Sequence, residues 1–79
     1  MMTGREFTQV MYCAACETDG PQPMTLADAA YNLQEYREEE KRGYYDSALA
    51  VPPMLTPKLF AAVWNSLYEH DTGIRVPLE

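Results

Sequence analysis

Residues Glu6–Cys13, "EFTQVMYC", decide the fold class of this chain. Read as part of a helix from Gly4 to Glu17, they place Phe7, Val10, Met11 and Ala14 at i, i+3, i+4 and i+7, the spacing of one buried stripe. Read by alternation, Phe7, Met11 and Cys13 fall on one strand face and Val10 and Tyr12 on the other, as in a small sheet. Two neighbouring features favour the helix. Thr3-Gly-Arg-Glu6 sets a hydroxyl at the N-cap with a carboxylate three residues on, and Ala14-Ala15 is a helix-forming pair. The chain is therefore expected to be mostly α, with an α+β arrangement carrying an N-terminal strand over residues 6–13 as the alternative.

Working outward, the same punctuation recurs. Thr25-Leu-Ala-Asp28 repeats the hydroxyl and carboxylate, although Asp28 is shorter than the Glu or Gln of the usual capping box, and Thr56-Pro57 sets a cap before a proline whose missing N–H costs nothing there. A second helix is expected over Leu26 to Arg42, with Leu26, Ala29, Ala30, Leu33 and Tyr36 on one face and Asp28, Asn32, Glu35 and Glu39 on the other. Lys41 and Arg42 suit its C-terminal dipole, and Gly43 suits a left-handed cap. The third helix is expected from Pro57 to about His70, burying Leu59, Phe60, Val63, Trp64 and Leu67. "TDGPQP" is loop and "IRVP" a short extended tail. In "YYDSALAVPPML", Asp46 or Ser47 can cap one short turn that Pro52-Pro53 must end. The expected architecture is a compact bundle of three main helices plus a short helical turn.

At 79 residues the chain reads as one small globular domain, 1–79, near the lower limit for a self-sufficient core. Its final Leu78-Glu79 has the look of a cloning scar ahead of an affinity tag and is given no functional meaning. With 47% apolar residues it is too hydrophobic for disorder despite a net charge of −6. The apolar segment holding Tyr44, Tyr45, Leu49, Val51, Met54 and Leu55 either lids the core of a monomer or pairs across a weak twofold homodimer. The proline turn favours the lid, because it returns Met54 and Leu55 towards Leu59 and Phe60. Twelve acidic against six basic residues argue against direct binding of nucleic acid or anionic lipid, which need Lys and Arg to replace counterions. "MMTGREF" lacks a signal-peptide core, and no run approaches the ~20 apolar residues of a membrane helix. A soluble, cytoplasmic protein is expected.

Cys13 and Cys16 form a lone C-x-x-C pair. On a helix they sit at the C-terminal end, where the dipole disfavours a thiolate, and Glu17 and Asp19 disfavour it further. A structural zinc site needs four ligands, and His70 is the one histidine. The cysteines are therefore expected to be small packing residues. The alternative is a metal-binding or redox-responsive adaptor drawing on Cys13, Cys16 and His70. His70 itself falls in the last turn of a helix, where an imidazolium meets unpaired carbonyls, so a capping or core-edge role is expected. No nucleophile-and-base set or phosphate-binding loop is apparent, so a non-enzymatic chain without cofactor is expected.

What remains is the acidic run "EYREEEKRG" and the tyrosines. Glu38 lies near Lys41 and Arg42 at i+3 and i+4, whereas Asp28, Glu35 and Glu39 form an uncompensated stripe. Carboxylates on a rigid helix can imitate phosphates and enter a basic channel, gaining on-rate by steering. Tyr31, Tyr44 and Tyr45 fall off the buried stripes, and tyrosine is a common interface anchor. The candidate partner-binding residues are Asp28, Tyr31, Glu35, Glu38, Glu39, Tyr44 and Tyr45, facing a protein with a basic surface. A short, acidic, single-domain chain with this run and Tyr-rich turns resembles, in kind, the small accessory proteins of phages and other mobile elements, including anti-CRISPR inhibitors. The resemblance implies an inhibitor of a nucleic-acid-handling host complex such as a CRISPR effector, acting in the host cytoplasm. It transfers no site residue.

Overall fold

The computed structural model describes residues 2–18, 20–44 and 50–77. They form three helices, α1 (Gly4–Glu17), α2 (Leu26–Lys41) and α3 (Pro57–Thr72), with no strand among the described residues. Residues 6–13 are helical, so the strand alternative is set aside. Each helix starts at its threonine. Thr3 and Glu6 close a complete capping box on α1, the Glu6 N–H donating to Thr3 Oγ1 at 3.1 Å and the Thr3 N–H to Glu6 Oε1 at 2.9 Å. The Thr3 backbone bond, above all, holds the Glu6 carboxyl below the usual carboxylate range. Thr25 Oγ1 accepts from the Asp28 N–H, and Thr56 Oγ1 from the Leu59 N–H. At the end of α2 the Tyr44 N–H reaches Glu39 O and the Gly43 N–H reaches Glu40 O, a Schellman motif made possible by Gly43 at φ 78°. α3 continues past His70 through Asp71 and Thr72 and stops at Gly73, whose φ of 74° admits the left-handed cap.

α3 lies in the middle and packs on both α1 and α2. Its Phe60 joins the three helices through a run of edge-on and tilted rings: Phe7 to Tyr36 at 5.8 Å between centroids, Tyr36 to Phe60 at 6.1 Å, Phe60 to Trp64 at 6.0 Å and Trp64 to Tyr12 at 5.2 Å. Such pairs add about 0.5–1.5 kcal/mol each beyond their burial.

The buried stripes are rotated from those the apolar spacing predicts. On α1, Phe7 is buried and Met11 half-buried, but Val10 and Ala14 are exposed; Thr8 and Tyr12 take their places in the core. Gly4 causes this. It sits so close to α3 and its approach that a Cβ there would lie 2.9 Å from Leu55 Cδ1, which turns the Gly4-Thr8-Tyr12 side inward. Thr8 tolerates burial because its hydroxyl donates to Gly4 O at 2.8 Å. On α2, Ala29 and Leu33 are buried and Tyr36 is half-buried, while Leu26 is 47% exposed and Ala30 is exposed. On α3, Phe60, Val63 and Trp64 are buried, Leu67 is half-buried, and Leu59 is exposed at the edge.

Polar side chains tie the connections down. The Trp64 indole N–H donates to Gln22 O at 2.7 Å, and the Asn65 side chain pairs with both backbone groups of Met24, each at 2.8 Å. The Arg37 guanidinium donates to Leu55 O at 2.9 Å and Pro52 O at 3.4 Å, and Glu40 accepts the Val51 N–H at 3.1 Å. "EYREEEKRG" is thus not simply a solvated face, since Arg37 and Glu40 clamp the segment before α3. That segment is a lid in part: Val51, Pro52 and Leu55 are buried, whereas Met54 is 84% exposed and Tyr44 is exposed. Tyr45, Leu49 and the short helical turn at Asp46 or Ser47 lie outside the described residues.

At the other end of the bundle the Tyr12 hydroxyl donates to Asp71 Oδ2 at 3.2 Å. Burial first, then the Asp71 bond and charge, pushes the Tyr12 hydroxyl up to about 12 from its ordinary 10. The folded state therefore keeps this proton at a pH where the unfolded chain has lost it. Its contribution is fully present below pH 10 and disappears as pH rises towards 12. We expect urea unfolding to show a loss of up to about 2 kcal/mol across that window, and Tyr12→Phe to reduce it, the raised Tyr36 hydroxyl keeping its own share. Equal slopes in the two proteins would mean that Tyr12 does not titrate with folding.

Candidate functional site

The outward face of α2 is set by what its inward face must bury. Ala29 and Leu33 are locked in the core and Glu40 faces Val51, so Asp28, Tyr31, Glu35 and Glu38 point away into solvent. At 1.5 Å per residue, Asp28 to Glu38 spans about 15 Å of rigid helix. Tyr31 stands 64% exposed among these carboxylates, and Tyr44 extends the exposed surface past the C-cap. Tyr45 is outside the described residues.

The stripe differs in detail from the one the sequence suggests. Glu39 is half-buried and already engaged, and its charge helps burial raise the Tyr36 hydroxyl above its ordinary range. Glu38 pairs with Arg42 at 3.9 Å across two exposed side chains, a bond that contributes little. Asp28 and Glu35 remain the open negative charges. Unlike Glu6 on α1, Asp28 is too short to close a capping box, and its carboxylate makes no hydrogen bond or ion pair to another described residue.

Beside Asp28 lies a cleft of about 220 Å³ that sequence reasoning did not anticipate, lined by Gln22, Pro23 and Met24, by Asn32 and Tyr36 of α2 and by Trp64 of α3. Its form depends on the Asn65 and Trp64 bonds to residues 22–24, which span more than forty positions (41 and 42) of sequence. A second, broader hollow runs along the outer side of α1 past Met2, Val10 and Cys13.

The cysteines correct the packing expectation: Cys13 and Cys16 are both free and exposed. The rotation of α1 that buries Thr8 and Tyr12 carries both outward. The Cys16 thiol is raised, mostly by desolvation and then by the Asp71 charge, opposite to what a reactive or metal-binding thiolate requires. His70 is exposed in the last turn of α3. Among the described residues no three His, Cys, Asp or Glu side chains converge on a point that could hold a metal, so Cys13, Cys16 and His70 are not brought together. Nor is any described helix long and apolar enough to cross a membrane. Comparison with known protein families, with curated proteins and with solved structures found no match in any of the three.

Proposed function

We propose that this chain is a non-enzymatic protein-binding module that engages the basic surface of a nucleic-acid-handling host complex, such as a CRISPR effector, and inhibits it by acidic mimicry of nucleic acid. The observation that supports this reading is the outward face of α2, where Asp28, Tyr31, Glu35 and Glu38 are exposed on a helix whose opposite side is held in the core. Carboxylates fixed at helical spacing meet a Lys/Arg channel without the entropy cost of ordering a flexible acidic tail. The net charge of −6 adds long-range steering towards such a channel. Tyr31 supplies apolar contact area among the charges, as interface tyrosines do.

The test is a double reversal, Glu35→Lys with Glu38→Lys, assayed for binding to a panel of purified CRISPR effector complexes at several salt concentrations. Wild-type chain is expected to bind at least one member with affinity that falls as salt rises. The reversal should weaken that binding at least tenfold while changing unfolding free energy by less than about 0.5 kcal/mol, because both sites are exposed. Unchanged affinity in the variant would remove the α2 face, and a panel without any binder would remove the effector assignment.

A further inference from the structure

The cleft beside Asp28 shares that residue with the open acidic face but adds groups the face lacks, from residues 22–24, Asn32, Tyr36 and Trp64. Asp28, Asn32 and Tyr36 stand at i, i+4 and i+8, one ridge of α2 forming a single wall. Trp64 also lines the cleft, and because its indole N–H is engaged by Gln22 O it offers ring surface and no free donor. Gln22, Pro23 and Met24 form the facing wall, held rigid by the Asn65 clamp. None of the lining residues is cationic. The Asp28 carboxylate and the Asn32 amide make no hydrogen bond to another described residue, leaving a carboxylate and a neutral acceptor beside two aromatic lining residues, Tyr36 and Trp64.

We propose that this cleft seats an arginine side chain of the basic partner; the inference rests on the protein-binding reading above and names the anchor within it. A guanidinium fits these groups better than an ammonium does. Its planar face stacks on aromatic rings, here Tyr36 and Trp64, while its edge offers paired N–H donors to a carboxylate, here Asp28, with Asn32 as a further acceptor. A lysine ammonium would meet the same charge but lose the stacking and the two-point contact, and it sheds its water less readily. Glu35 and Glu38 lie farther along the same helix, exposed to solvent, so one inserted arginine would fix the register of the remaining charge contacts.

Trp64 is the only tryptophan, which makes its emission a reporter of the cleft. The experiment titrates the intact chain with N-acetyl-arginine amide, N-acetyl-lysine amide and N-acetyl-citrulline amide, the last being the uncharged near-isostere of arginine. Arginine is expected to change Trp64 emission saturably, with at least fivefold tighter binding than either control. Asp28→Asn should weaken the arginine response at least fivefold, whereas Glu17→Gln, exposed on α1 and outside the cleft, should leave it unchanged. Circular dichroism confirms that each variant is folded. No saturable response, equal binding of citrulline or lysine, or an Asp28→Asn protein that binds arginine like wild type would each overturn the assignment. Such a failure is separable from failure of the α2 face, because the face is tested through Glu35 and Glu38, neither of which lines the cleft.

Discussion

Replacing Phe60 with alanine should cost about 3–5 kcal/mol of folding free energy, the range for removing a fully buried phenylalanine. Phe60 has no exposed surface, and its ring lies 6.5 Å from Phe7, 6.1 Å from Tyr36 and 6.0 Å from Trp64, so it touches a ring from each of the three helices. Few alternative partners exist to fill the space it would leave, because the neighbouring rings are already held by one another and by the Trp64 bond to Gln22. A domain of this length has only about 4–12 kcal/mol of stability in total. The truncation should therefore consume a large share of it, moving the urea midpoint down by some 3–5 M at an m-value of about 1 kcal/mol/M, or leaving the chain unfolded in buffer. Far-UV circular dichroism during urea titration reads this directly. A loss below about 1 kcal/mol would show that the three helices do not converge on this ring.

The second large effect is expected at Asn65. Its carboxamide meets the Met24 N–H and C=O together, each at 2.8 Å, and Met24 is itself buried. Asn65→Ala removes both bonds and leaves two backbone groups with poor access to water, a loss of about 2–4 kcal/mol. Much of that cost should appear locally. With Asn65 gone, the segment over residues 22–24 is held by the Trp64 bond to Gln22 and by the packing of Met24. Amide exchange at Met24 should therefore accelerate by more than tenfold, while the Phe60 amide in the middle of the bundle follows only the smaller global change. If Met24 exchange is unaltered and stability falls by less than about 0.5 kcal/mol, water replaces the carboxamide and the clamp has no energetic role. The same variant should also spoil the cleft, whose facing wall is this segment.

The three main helices, their starts and the Gly43 stop were legible in the sequence because each is encoded within a few residues, whereas α3 runs past its expected end at about His70 to Gly73. Thr3 finds Glu6, Thr25 finds the Asp28 N–H and Thr56 finds the Leu59 N–H, all at a separation of three residues. Both partners of each such bond lie within one turn of chain, so its pattern can be read locally even though packing is needed to hold the helix. The exposure of Asp28 and Glu35 was legible for a related reason, since both lie away from Ala29 and Leu33 on the helix, but Glu39, expected on the same stripe, is half-buried and engaged. The tertiary structure alone decided how far each helix turns about its own axis. Val10, Leu26 and Leu59 satisfy a helical apolar pattern and yet are exposed, while polar Thr8 is wholly buried. The cause is remote: Gly4 lets Leu55 and Leu59 approach α1, and that approach selects which side of α1 is buried and sends Cys13 and Cys16 outward. Arg37 with Leu55, Glu40 with Val51 and Asn65 with Met24 are likewise pairings across 11–41 residues, with no periodic trace in composition. Apolar spacing specifies that a helix has a buried side, but the angle of that side follows from the shape of neighbours that are distant in the chain, and so does the Asp28 cleft, which brings residues 22–24, α2 and Trp64 together.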